Sequence, residues 1–67
     1  RRDQAQSVRR AIAELPLGAR SALVLREYEQ LSYQEIANVL RIPIGTVMSR
    51  LNYARQALKA KLQVGGE

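Results

Sequence analysis

An all-α fold is what this sequence predicts, and three observations carry the prediction. Apolar residues recur at helical spacing in four stretches, no stretch alternates with the period of a strand, and Pro16, Gly18 and Pro43 punctuate the chain. At 67 residues the chain makes one small domain, a size that buries only about 60% of the surface its unfolded form exposes. The chain opens on Arg1-Arg2 and closes on Gly65-Gly66-Glu67, from which we expect residues 1–67 to be a single C-terminal piece of a longer protein with a frayed end.

The first helix is expected over about 4–15, where Val8, Ala11, Ile12 and Leu15 share one face. Pro16 and Gly18 interrupt it, and a Pro near the first helical position is a common start for the next helix. That second helix, about 18–29, carries Ala22, Leu23, Val24, Leu25 and Tyr28 round most of its circumference, so it should be the central and most buried one. Ser32-Tyr33-Gln34-Glu35 is a capping box that opens a third helix at 33. Its apolar face is Tyr33, Ile36, Ala37 and Leu40, and it must stop before Pro43, near residue 41. The fourth helix, about 44–62, lines up Val47, Leu51, Ala54 and Leu58. Two helices joined by Arg41-Ile42-Pro43 make a helix-turn-helix within a compact four-helix domain. Ala37 is small where those helices would cross, and Val47 would plug the corner. Arg41 stands where such turns often place Gly. A left-handed residue there would cost roughly 1–2 kcal/mol, the alternative being that the third helix runs on by a residue.

The composition closes most routes to catalysis. There is no Cys and no His, which removes the thiolate ligands, the commonest zinc ligand and the commonest general base. A Ser49/Lys59 pair is conceivable as a nucleophile and base, but neither its spacing nor any Gly-rich loop supports it. We expect no enzyme, no metal and no cofactor. No apolar run approaches the ~18 residues of a membrane span, and no signal-like N-terminus precedes the first helix, so a cytoplasmic protein is expected.

Charge points to a partner. The net charge is +5, and residues 1–40 hold six basic and five acidic side chains, whereas residues 41–62 hold Arg41, Arg50, Arg55, Lys59 and Lys61 with no acid. A basic element of this kind suits nucleic acid or an anionic membrane surface, the alternative being a solvated helix face. At about 100° per residue, Gly45, Ser49, Asn52, Tyr53 and Gln56 fall opposite the apolar stripe of the fourth helix. Thr46, Met48, Arg50, Arg55 and Lys59 flank them. Asn and Gln can pair bidentately with adenine, Ser is adaptable, and Met or a Tyr ring can meet a thymine methyl, while cations at the edges reach phosphates. Gly45 would let the helix N-terminus approach the DNA backbone.

Taken in order, Leu15-Pro16, Leu25-Arg26-Glu27-Tyr28, Leu31-Ser32-Tyr33-Gln34-Glu35-Ile36-Ala37, Gly45-Thr46-Val47-Met48-Ser49-Arg50-Leu51 and Ala54-Arg55 resemble region 4 of the extracytoplasmic-function sigma factors. The resemblance covers about residues 8–62. It implies a domain that reads the −35 element of double-stranded promoter DNA while docking on the RNA polymerase core, chiefly the flap of its β subunit, as a monomer. It implies base readers at Ser49, Asn52 and Tyr53 with Met48 beside them, phosphate contacts at Arg26, Tyr33, Gln34, Thr46 and Arg50, and an anti-sigma factor as a further partner. The family often has a basic residue where Met48 stands and an Arg where Tyr53 stands. Their absence implies weak affinity of the isolated domain and an altered base preference. Two other readings fit parts of the pattern: the effector domain of a response regulator, and a protein-interaction module that reads no DNA.

Overall fold

A computed structural model describes the backbone of residues 2–66 and the side chains of residues 6–62. It contains four helices, α1 (Arg2–Ala13), α2 (Leu17–Glu27), α3 (Tyr33–Leu40) and α4 (Ile44–Gly66), and no strand among the described residues. This is the expected all-α domain with its helix-turn-helix formed by α3 and α4. The boundaries shift for local reasons. Pro16 disfavours helical geometry at Leu15, so α1 closes two residues early with a tight last turn, the Leu15 N–H donating to the Ile12 carbonyl at 3.1 Å. Pro16 is itself the N-cap of α2, with φ −55° and ψ 148°, and its carbonyl accepts from the Arg20 N–H at 2.9 Å. The second helix therefore starts at Leu17, one residue before the expected 18, with Gly18 inside it. At the far end, Gln30 takes the left-handed conformation (φ 59°) and turns the chain after Tyr28. Gly65 and Gly66, expected as a frayed end, belong to α4.

The capping box forms as the spacing predicts. The Glu35 N–H donates to Ser32 Oγ at 3.0 Å and the Ser32 N–H donates to Glu35 Oε1 at 2.7 Å. Two otherwise orphaned donors are thereby satisfied at the start of α3. The other end of α3 settles the question at Arg41. The helix does not run on: Arg41 is left-handed, with φ 59° and ψ 49°, and the Ile42 N–H donates to the Ala37 carbonyl at 3.0 Å. This cap is usually given to Gly, because a Cβ crowds the backbone in that conformation. Pro43 then leads into α4 by accepting from the Thr46 N–H at 2.9 Å.

The core joins Leu15, Ala19, Ala22, Leu23, Ile36, Ala37, Val47, Leu51 and Ala54. Ile36, Val47 and Leu51 are its largest fully enclosed side chains, each worth about 1.5–3 kcal/mol relative to exposure. The predicted stripe on α4 is the buried one, with Leu58 packed at its edge. Alanines at 19, 22, 37 and 54 let the helices approach closely. The central position, expected for α2, belongs instead to α4, against which α1, α2 and α3 all pack. Tyr28, grouped with the buried face of the second helix, is 62% exposed, because α2 ends before it.

Replacing Arg41 by Gly removes the left-handed strain while leaving the cap in place. We expect Arg41→Gly to raise stability by about 1 kcal/mol, read as a higher urea midpoint at unchanged m-value. A lower midpoint would show that the Arg41 side chain itself holds the turn.

Candidate nucleic-acid interface

With Val47, Leu51 and Ala54 pinned inward, the helical period forces the opposite side of α4 into solvent. Gly45, Met48, Ser49, Asn52, Tyr53 and Gln56 are all exposed there, Met48 and Tyr53 to 53% each. The sequence expectation that Gly45, Ser49, Asn52, Tyr53 and Gln56 share one open face, with Met48 on its flank, therefore holds in the structure. A Cβ built on Gly45 would meet nothing within 4 Å, so packing inside the domain does not require glycine at this position. The surface at the start of α4 is open to an incoming backbone. Ser49 Oγ donates to the Gly45 carbonyl at 3.1 Å, which spends the hydroxyl proton locally and leaves the oxygen as an acceptor.

The cations are placed less uniformly. Arg41, Arg55 and Lys59 are exposed, Thr46 is half-buried in the first turn of α4, and Gln34 lies exposed in the first turn of α3, where it donates to Asn38 Oδ1 at 3.2 Å. Arg50 is half-buried and turned back on α2: a Cβ on Gly18 would come within 3.0–3.2 Å of its guanidinium. Gly18 is thus the seat of Arg50, a role hidden in a residue read only as a helix breaker. Lys61 lies outside the candidate face, bonded to Glu14 at 3.0 Å.

Arg26, Tyr33 and Arg55 meet at the junction of α2, α3 and α4. Arg26 donates to the Leu31 carbonyl at 2.9 Å and its guanidinium stands 5.1 Å from the centre of the Tyr33 ring, a cation–π distance. Arg55 donates to Tyr33 Oη at 3.3 Å and lies 3.6 Å from Glu27. The donated hydrogen bond and the charge of Arg55 lower the pKa of the Tyr33 phenol, and the same bond raises that of Arg55. The ion pair is exposed on both sides and contributes little to stability. What the cluster supplies is position: it holds three of the expected phosphate contacts beside one another at the foot of the helix-turn-helix. Glu27 escaped the sequence argument, because nothing local pairs it with a residue 28 positions away.

A second feature lies elsewhere. Val8, Ile12, Leu23, Val24, Tyr28 and Leu58 line an apolar groove between α1, α2 and α4, with Glu27 and Arg55 at its polar edge. Leu58 lies about 180° round α4 from Ser49. The groove therefore opens on a different side from the exposed polar face. Among the described residues, no cluster of acidic side chains could hold a metal ion, and no helix is long and apolar enough to cross a membrane.

A three-residue turn, a capped first helix and a second helix buried on one side and polar on the other define a helix-turn-helix domain of the DNA-binding class. The family described as sigma-70, region 4 matches residues 5–58, and the chain belongs to that family. It is 48% identical to the RNA polymerase sigma-H factor of Pseudomonas aeruginosa over 63 residues, 92% of this chain and 33% of that protein. It is likewise 48% identical to the ECF RNA polymerase sigma-E factors of Escherichia coli K12 and Salmonella typhimurium LT2 over 58 residues, 87% of this chain and 30% of each. The chain thus spans about a third of the length of the curated relatives it matches. The family match favours the sigma reading over a response-regulator effector domain.

The lowered Tyr33 phenol has a spectroscopic signature. In an alkaline titration followed by phenolate absorbance, the Tyr33 phenol should ionise below its ordinary range, since a neighbouring guanidinium favours the charged form. Arg55→Gln should move that step to higher pH. An early step that survives the substitution would assign the shift to another cause.

Proposed function

We propose that this chain is the −35-reading domain of an extracytoplasmic-function sigma factor, one part of a longer protein that directs RNA polymerase to promoters. The observation that carries the proposal is the division of α4 into a fully buried stripe and an exposed face of hydrogen-bonding and apolar side chains. Such a helix is supported rigidly from behind and free to enter a major groove. Met48, Ser49, Asn52 and Tyr53 read base edges. Gln34 and Thr46, at the first turns of α3 and α4, hold phosphates together with Arg26, Tyr33, Arg50, Arg55 and Lys59. The division of labour is the usual one, in which phosphate contacts set register and base contacts set sequence. No covalent step is involved, and work with the polymerase places the protein in the cytoplasm.

The groove between α1, α2 and α4 suits the second half of the task. It is apolar, edged by one acid and one base, and opens away from the reading face, so the domain can hold the β-subunit flap of the polymerase core and DNA at once. One copy per polymerase is the expected stoichiometry. An anti-sigma factor would act by covering either surface.

Two variants separate these roles. With core polymerase and the sigma factor that contains this chain, Asn52→Ala should lower initiation at its own promoter about tenfold or more while leaving association with core unchanged. Tyr28→Ser, on the groove rim, should weaken association with core. DNA affinity should fall with salt at a log–log slope of about −3.6 if four phosphates are neutralised. Initiation that ignores Asn52→Ala, or binding that ignores salt, would make the domain a protein-interaction module.

A further inference from the structure

We propose that the helix α4 of this chain selects A·T base pairs and holds no group that reads guanine. The inference rests on the proposed function, since it takes α4 as the helix that enters the groove. Guanine offers two acceptors, O6 and N7, in the major groove, and the side chains that match them best are the paired donors of Arg or the ammonium of Lys. Between Met48 and Gln56, a length of about 12 Å that equals the width of the major groove, the exposed side chains are Met48, Ser49, Asn52, Tyr53, Arg55 and Gln56. Of these Arg55 alone is cationic, and it stands about 100° round the helix from Gln56.

The nearby cations are engaged or displaced. Arg50 lies against Gly18 on α2. Arg55 is bonded to Tyr33 at 3.3 Å and faces Glu27 at 3.6 Å. Lys59 shares the outer side of α4 but stands about 10 Å beyond Asn52 along the axis, at the rim where phosphates are met.

The groups that remain suit the other pair. The amides of Asn52 and Gln56 each offer a donor beside an acceptor, the match for adenine N7 and N6. Ser49 donates to the Gly45 carbonyl at 3.1 Å and presents an acceptor, which does not match guanine O6 or N7 and is open to the amino group of adenine or cytosine alike. Met48 and Tyr53, each 53% exposed, offer apolar surface to the thymine methyl that marks an A·T pair in this groove.

The test is selection of transcribed promoters from a library with a randomised −35 region, using core polymerase loaded with the sigma factor that contains this chain. The expected result is a segment in which A·T pairs are enriched about tenfold or more over G·C at each selected position. Met48→Arg and Tyr53→Arg, both at exposed positions, should each bring in guanine at one position. A wild-type preference for G·C that is lost on Ser49→Ala or Asn52→Ala would leave α4 as the reading helix and overturn this inference alone. Absence of any −35 preference would overturn both.

Discussion

Everything in this domain hangs on the burial of one stripe of α4. Val47, Leu51 and Ala54 are wholly enclosed, and the three other helices pack round them. In so short a chain there is no second core to fall back on. A helix of 23 residues runs about 34 Å, nearly the longest dimension of the molecule at 37 Å. The element proposed to meet the DNA is therefore also the spine of the fold. Because its inward side is locked, its outward side is fixed in rotation, and the placement of each exposed side chain follows from the packing behind it.

The turn before α4 shows how such a spine is aimed. The capping box fixes where α3 begins, Ala37 lets it cross α4 closely, and the left-handed Arg41 turns the chain within three residues. The strain at Arg41 persists because the surrounding structure over-determines it: Ile36 and Ala37 on one side and Val47 on the other are buried in the same core. The cluster of Arg26, Tyr33, Glu27 and Arg55 adds a polar tie across three helices at the surface. Its weak, exposed ion pair makes it a device for position more than for stability.

Much of this was legible in the residues. Period 3.6 located all four helices, the capping box marked the start of α3 at the right residue, and the stripe on α4 was identified side chain by side chain, which also identified the exposed face. What escaped was of two kinds. Helix ends depend on competition between neighbouring signals: Pro16 caps α2 and shortens α1, and α2 stops before Tyr28, which left that ring in solvent. Contacts between residues far apart in sequence have no periodic signature at all. Gly18 under Arg50 and Glu27 beside Arg55 are of this type, and so is the central place of α4, since apolar residues round a helix report that it is covered without saying by what. The family match supports the identity inferred from the order of motifs, while the roles of individual residues in DNA contact rest on the geometry of the exposed face.

The open space above Gly45 and the solvent round Met48, Asn52 and Tyr53 carry a consequence for how such domains diverge. Substitutions on that side leave the core unchanged and disturb no packing, so their cost in stability is small. On the proposed function, sequence preference and foldability are thus set by opposite sides of one helix. A duplicated copy could drift to a new set of promoters, one side chain at a time, without passing through an unfolded ancestor.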